Sequence, residues 1–232
     1  MDSSNTESAG STESRGAETV DLQHPFFTWV GLPLCKLIAG IVFAAFGPTR
    51  VFGKYRVPRR GGLLILSNHR ADVDPALVQI ACPRPIYFMA KSELLTMPVL
   101  GWMLKFFRVF SVKRGEPDKA AIKKAVAYLK GGEAVCVFPE GELSETGDLL
   151  PLKPGVALIV RMAQVPVICL GIKGTNRMLP YGKVIPRPAF HWIEARWGEE
   201  RTFEHHEAAE TILGWAEGQL RSLSEWNPLD VP

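Results

Sequence analysis

The fold is decided by Gly62-Leu63-Leu64-Ile65-Leu66-Ser67-Asn68-His69-Arg70-Ala71-Asp72-Val73-Asp74-Pro75, where one short apolar run ends and another is about to begin. The first half of this stretch is apolar and led by glycine, which predicts an interior strand. Asp74 and Pro75 precede a second apolar run, which predicts a helix with Asp74 as N-cap and Pro75 at its first position. His69 is therefore expected between the carboxyl end of a strand and the start of a helix.

A histidine and a carboxylate at such a corner can act together on a hydroxyl group. The imidazole of His69 would take the proton from an attacking hydroxyl, while Asp74 fixes the tautomer and stabilises the imidazolium. No covalent nucleophile is then required of the protein. A second interpretation is structural: Asp74 only caps a helix, while Asn68 and His69 only satisfy backbone groups in a turn.

The spacing from Asn68 to Asp74 reads N-H-x-x-x-x-D, which resembles the first signature of the PlsC-like glycerolipid acyltransferases. Other motifs of that family follow in order over roughly residues 50 to 200, and this order supports the likeness. They are Lys91 to Trp102 (K-x-E-L-x-x-x-P-x-x-G-W), Lys113-Arg114-Gly115 after a short strand, Phe138-Pro139-Glu140-Gly141, and Val165-Pro166-Val167-Ile168.

The resemblance implies a mixed β-sheet flanked by helices, of the glycerol-3-phosphate acyltransferase kind, with His69 and Asp74 as catalytic residues. In this family an acceptor hydroxyl attacks an acyl thioester directly. The co-substrates are acyl-CoA or acyl carrier protein and a lysophospholipid, here 1-acylglycerol-3-phosphate or another lysolipid. No cofactor and no metal are expected. Backbone amides near Gly141 are the candidates for stabilising the oxyanion.

Five residues are expected to bind substrate by this resemblance: Asn68, Arg114, Glu140, Gly141 and Lys153. One departure from the family pattern changes the phosphate site. Many relatives read Glu-Gly-Thr-Arg, whereas Glu142 and Leu143 follow Gly141 here, so a positive charge is missing. Arg114 is the best replacement because a guanidinium binds phosphate oxygens in a bidentate way, and Lys153 is the second choice.

Alternatives remain for these residues and for the class of protein. Arg114 could instead pair with Glu140 or Glu142. Asp72 is a second carboxylate close to His69, although the family spacing selects Asp74. A lipid hydrolase or thioesterase could use the same dyad, but the sequence has no G-x-S-x-G elbow. A catalytically silent lipid-binding module is the third class.

The 232 residues allow one domain of ordinary size with appendages. Residues 1–24 are rich in small and polar residues and are expected to form a disordered tail. Residues 25–48 are expected to be membrane-associating apolar helices, and residues 49–232 the catalytic domain. The four cysteines are widely spaced without a metal-binding pattern, which is typical of reduced, buried thiols.

The apolar segment 26–47 carries a single charge, Lys36, and is close to the length that spans a bilayer. Because Lys36 and Pro33 interrupt it, two short helices in one leaflet are favoured over a full span or ordinary core packing. Between Asp21 and Asp72 every charged residue is basic. Because this basic run follows an apolar segment, it favours an anionic membrane surface over nucleic acid or a solvated loop. We expect an enzyme on the cytoplasmic face of a membrane, of unknown oligomeric state.

The remaining pattern predicts α/β structure. Strands are expected around Val51 to Val57, Ile86 to Met89, Val109 to Val112, Ala134 to Phe138 and His191 to Arg196. Helices are expected over residues 117–130, with Ala121, Ile122, Ala125, Val126 and Leu129 on the apolar face, and over 204–223.

Overall fold

A computed structural model of the chain describes residues 30–91, 108–112 and 119–225. The predictions for the tail 1–24, for the motif beyond Lys91 and for Arg114 fall outside these residues.

Seven strands of the described residues form one sheet with the order β1-β7-β6-β2-β5-β3-β4. Neighbouring strands are parallel except β6 and β7, which are antiparallel, so the sheet is mixed. The strands are β1 Thr49–Phe52, β2 Leu63–Ser67, β3 Ile86–Lys91, β4 Val109–Val112, β5 Ala134–Val137, β6 Val167–Lys173 and β7 Ile193–Trp197. The predicted mixed sheet flanked by helices is confirmed.

Helices cover both faces of this sheet. They are α1 Leu32–Phe46, α2 Asp74–Ala81, α3 Lys119–Lys130, α4 Gly155–Ala163, α5 Thr175–Met178 and α6 Ala209–Ser224. Strand β2 is buried on both faces, because Leu63 and Ile65 face α1 and α2 while Leu64 and Leu66 face α3, α4 and α6. Because neither face of such a strand meets solvent, its sequence does not alternate between apolar and polar residues and is apolar throughout.

The apolar face predicted for the helix before Gly131 is confirmed, since the buried residues of α3 are the five that its spacing selects. Several strand boundaries differ from prediction; β3, for example, continues to Lys91 instead of ending at Met89. The first strand ends at Phe52, because Gly53 has a φ of +71° and turns the chain into a 3-10 helix over Lys54–Arg56. The fifth ends at Val137, and the last begins at Ile193, which leaves His191 in the preceding loop. Helix α6 begins at Ala209 rather than at 204.

Within its described part, residues 30–47, the N-terminal apolar segment forms one helix, α1, with no break at Lys36. Residues 26–29 of the segment for which two short helices are predicted lie outside the described residues. Pro33 lies in the first turn of α1, where a backbone N–H has no intrahelical acceptor and its loss costs little. One face of α1 packs on the core through Leu32 and Phe43, so the core-packing interpretation holds for that face. Among the described residues, no helix is both long and apolar enough to cross a membrane.

Candidate active site

The site lies at the carboxyl ends of β2, β5 and β6, which meet at one edge of the sheet because the three strands are parallel. Ligands of open α/β sheets bind at this edge. Strand β2 is the central one of the three, so the residues that follow Ser67 emerge in the middle of the edge. The loops after β5 and β6 flank them.

Asp74 holds His69 within a single turn of chain. The Nδ1 atom of His69 lies 3.1 Å from Oδ2 of Asp74, which is fully buried. The same oxygen accepts the backbone N–H groups of Arg70 at 2.6 Å and Ala71 at 2.7 Å. The prediction that Asp74 is an N-cap is wrong: Asp74 is the first residue of α2, and its carboxylate turns back to the loop that precedes the helix. It therefore fixes the loop and the imidazole together.

The imidazole of His69 is also fixed by stacking. Its ring lies 4.1 Å from the ring of Phe138, with 19° between the planes. The side chain is 18% exposed, and Nε2 has no hydrogen-bond partner among the described residues. With Nδ1–H donating to Asp74, the lone pair of Nε2 is available to accept a proton from a bound molecule. Asp72 is exposed and makes no contact with His69 in the described structure.

The backbone of His69 is clamped by the loop that follows β5. Its N–H donates to Oε1 of Glu140 at 2.7 Å, and its carbonyl accepts the N–H of Ser144 at 3.2 Å. Oε2 of Glu140 accepts the N–H of Leu150 at 2.8 Å, so one buried carboxylate connects two segments. Burial raises the pKa of Glu140, while its two backbone donors and His69 oppose the increase. Substrate contact by Glu140 stays a prediction; its contacts in the structure are with backbone.

Asn68 extends the pairing of β2 with β6 by a side-chain contact. Its Nδ2 donates to the carbonyl of Ile172 at 2.9 Å, and its Oδ1 accepts the N–H of Ile172 at 2.7 Å. The amide is buried and both of its polar atoms have backbone partners. This contact fixes the chain just before His69, and substrate contact by Asn68 stays a prediction.

Gly141 and Lys153 lie against each other at the rim of the site. Gly141 has a φ of +71°, and a Cβ added there would lie 3.3 Å from Cγ of Lys153. The N–H of Gly141 donates to the carbonyl of Phe138 at 3.0 Å, so this amide is not free for an oxyanion. Nζ of Lys153 lies 3.5 Å from Oε1 of Glu142, in a pair whose side chains are both more than half exposed. Glu142 therefore partly neutralises the second candidate for phosphate binding.

Three contacts of this site were not predicted: the stacking of Phe138, the N–H of Ser144 on His69, and the approach of α6. Nη2 of Arg70 donates to Oγ of Ser224 at 3.4 Å, and burial lowers the pKa of Arg70 against the opposing charge of Asp74. Only Phe138 had a sequence signal, because it ends the apolar run of β5 beside the Pro139-Glu140-Gly141 motif.

In the described part of the chain, no three His, Cys, Asp or Glu side chains are grouped so as to hold a metal ion.

Comparisons with known proteins agree with this geometry. A family model described as "Acyltransferase" matches residues 48–173, just over half of the chain. A 1-acyl-sn-glycerol-3-phosphate acyltransferase of Bacillus subtilis is 30% identical over 143 residues, which are 61% of this chain and 71% of that protein. A protein of the same name from Streptococcus pneumoniae is 27% identical over 65% of this chain and 55% of its own length. A chloroplastic one from Brassica napus is 29% identical over 64% of this chain and 44% of its own length.

The fold has a solved counterpart. The crystal structure of the 1-acyl-sn-glycerophosphate (LPA) acyltransferase PlsC from Thermotoga maritima superposes with a TM-score of 0.71, covering 84% of this chain and 78% of that chain. At 22% sequence identity this likeness concerns the fold alone. The family match over residues 48–173, together with 30% identity to the Bacillus subtilis protein over 71% of its length, shows that the chain belongs to the PlsC-like family of glycerolipid acyltransferases.

Proposed function

We propose that this enzyme transfers a fatty acyl group from an acyl thioester to the free hydroxyl of 1-acylglycerol-3-phosphate, giving phosphatidate. The observation that carries the proposal is the dyad: Nδ1 of His69 is held by Asp74 at 3.1 Å, while Nε2 has no partner in the described structure. The names of the relatives from Bacillus subtilis and Streptococcus pneumoniae support lysophosphatidate as the acceptor.

The chemistry needs one base that later acts as an acid. Nε2 of His69 accepts the proton of the acceptor hydroxyl as the hydroxyl oxygen attacks the thioester carbonyl carbon. The buried carboxylate of Asp74 stabilises the imidazolium that results. When the tetrahedral intermediate collapses, the carbon–sulfur bond breaks and the thiolate takes the proton from Nε2. An ester and a free thiol leave, and His69 returns to its starting state.

The oxyanion of the intermediate needs donors close to His69. The N–H of Ser144 is committed to the carbonyl of His69, and that of Gly141 to Phe138. The amides of Glu142 and Leu143 lie between them, and within the described residues neither has an acceptor. We assign the oxyanion contact to these two amides, because preorganised backbone donors are the usual solution for acyl transfer.

An assay of thiol release tests this function. Purified enzyme is given acyl-CoA or acyl carrier protein thioester, with or without lysophosphatidate, and the products are identified by mass spectrometry. Release that depends on the acceptor, with phosphatidate as product, supports transfer. Release without the acceptor indicates a thioesterase, and no release with either donor indicates a binding module. His69→Ala should abolish the reaction, whereas the matched control His205→Ala, at an exposed position, should not.

We also propose that the enzyme works at a membrane surface, since its acceptor is a lipid. Helix α1 supports this: its outer face carries exposed apolar side chains at helical spacing, opposite the face that packs on α2. These side chains are Leu34, Leu37, Ile38 and Ile41. Because α1 is apolar on both faces, its outer face can enter the interfacial region of a bilayer while its inner face stays on the core.

A further inference from the structure

A second apolar surface lies on the loop that joins α5 to β7, residues 179–192, here called the β6–β7 loop. Three of its side chains are almost fully exposed: Phe190 (93%), Val184 (86%) and Ile185 (78%). Isolated exposed apolar residues are ordinary, but three large ones within seven residues of one loop are not. They are not explained by the sheet, the dyad or the core.

The loop is anchored on its inner side. Ala189 and Leu179 are buried, and the N–H of Ala189 donates to the carbonyl of Phe46, the last residue of α1. Phe190 has a φ of +46°, a conformation that a bulky residue rarely adopts. The fixed neighbours hold Phe190 with its ring outward. The apolar side chains therefore project from a loop whose backbone is hydrogen-bonded to the last residue of α1.

This attachment places the loop at the carboxyl end of α1, and the pairing of β6 with β2 and β7 places it at the same edge of the sheet as the dyad. Tyr181, on the same loop, lies beside Glu145 of the loop that follows β5, whose charge and hydrogen bond raise the pKa of Tyr181. Asn176 of α5 lies so close to Gly147 that an added Cβ would contact it. The loop thus extends from the rim of the active site to the carboxyl end of α1.

The charges of this region indicate what the surface binds. Residues 174–193 contain Arg177, Lys183 and Arg187 and no acidic residue, and the segment from Asp21 to Asp72 likewise has no acidic residue between its ends. The acidic residues near the loop, Glu145, Asp72 and Glu142, lie at its Tyr181 end on the rim of the active site. At Lys183 and Arg187, beside the exposed apolar side chains, a second copy of the chain would bring the same positive charge and be repelled. An anionic bilayer offers both an apolar interior and the opposite charge.

We propose that the β6–β7 loop inserts Val184, Ile185 and Phe190 into the interfacial region of an anionic bilayer, as a second contact beside α1. With α1 as its only contact, the molecule could rotate about the helix axis on the bilayer. A second contact fixes its orientation. In this orientation the rim of the active site lies next to the lipid surface, so a lysolipid reaches His69 without crossing water. The inference rests on the proposed function only in taking the acceptor to be a membrane lipid.

The test is co-sedimentation of the full chain with phosphatidylcholine vesicles, with and without phosphatidylglycerol. The variant V184S/I185S/F190S should bind the anionic vesicles about tenfold or more weakly, because three apolar side chains no longer enter the interface. Leu158 and Met162 provide the matched control, since they are exposed on α4 at the opposite face of the sheet. L158S/M162S should bind like the parent chain. Lys183→Glu should weaken binding to the anionic vesicles alone.

Labelling reports insertion directly. Ile185→Cys carrying a polarity-sensitive dye should shift to the blue on anionic vesicles, and Leu158→Cys should not. The native thiols of Cys82, Cys136 and Cys169 interfere little, because burial raises their pKa values and suppresses the reactive thiolate. The partly exposed Cys35 is replaced by serine in both labelled chains.

Three results would overturn the proposal: an unshifted dye at position 185, equal loss of binding by the loop and α4 variants, or a dimer by light scattering that only the loop variant abolishes. Acyl transfer to lysophosphatidate in detergent micelles is measured in parallel. A chain that binds vesicles through the loop but makes no phosphatidate refutes the proposed function and leaves this inference standing. Transfer in micelles together with an unshifted dye refutes this inference and leaves the proposed function standing.

Discussion

Glu140 is the residue whose replacement best separates positioning from substrate binding. Its carboxylate is buried and accepts two backbone N–H groups, those of His69 at 2.7 Å and Leu150 at 2.8 Å. Glu140→Gln keeps the shape of the side chain but retains only one acceptor oxygen, so one of the two N–H groups then faces an amide donor. The matched control is Glu142→Gln, which removes only an exposed ion pair with Lys153.

The magnitude follows from the lost acceptor. A buried donor left without a partner costs about 1–3 kcal/mol, so Glu140→Gln should lower the free energy of unfolding by that amount. For a chain of this length the melting temperature should fall by about 2–4 °C for each kcal/mol. Because the backbone of His69 loses its anchor, turnover should also fall about 10- to 100-fold, since a small misplacement of a catalytic group has effects of this size. Glu142→Gln should change stability by less than about 1 kcal/mol.

Thermal melts and steady-state kinetics with lysophosphatidate as the varied substrate check this. The expected result is a lower kcat with a nearly constant KM, together with a lower melting temperature. If Glu140→Gln instead raises KM while melting temperature and kcat are unchanged, the carboxylate contacts the substrate, as the sequence predicts, and the positioning argument is refuted.

The pH dependence gives a second readout of the same group. Burial raises the pKa of Glu140 in the folded state, so the folded chain binds this proton more tightly than the unfolded chain. The stability that the group contributes is therefore greatest below the ordinary glutamate pKa and declines as pH rises toward the raised value. The difference in melting temperature between the parent chain and Glu140→Gln should narrow as pH rises through this window. A difference that widens would contradict the direction of the shift.

The other predictions concern the dyad, the phosphate site and the membrane. His69→Ala should lower acyl transfer at least ~100-fold while circular dichroism shows the fold intact, and turnover near that of the parent chain would refute the mechanism. Asp74→Asn should lower both activity and stability, because Oδ2 holds backbone N–H groups as well as His69; kinetics with a thermal melt check this. Arg114→Ala should raise the KM for lysophosphatidate much more than for an uncharged monoacylglycerol, and equal losses on both would make Arg114 a scaffold residue. L37S/I41S should move the enzyme from membrane to soluble fraction, a cleaner test than removing α1, whose inner face belongs to the core; an unchanged membrane pellet would place the anchor elsewhere.

Local sequence patterns predicted the elements whose burial imposes a regular spacing of apolar residues. The apolar runs of β2 and β5 and the five-residue face of α3 were identified because burial imposes a period on each element. The boundaries that were missed include those at Gly53, Ile193 and Ala209, where neighbouring segments decide how far an element continues. Local patterns did not predict that α1 is continuous from Leu32 to Phe46, because the rule that proline interrupts a helix does not hold in its first turn.

The sequence by itself determined the family, the sheet class and the pairing of His69 with Asp74, because two residues joined by one short turn can meet without help from the rest of the chain. Only the tertiary structure shows which backbone groups Asn68 and Glu140 bind, since a buried amide or carboxylate binds a backbone group as readily as a substrate. Their partners, Ile172 and the N–H of His69, lie 104 and 71 residues away, and parallel strands bring them together. The same long-range pairing places the β6–β7 loop at the end of α1, which no local pattern could indicate.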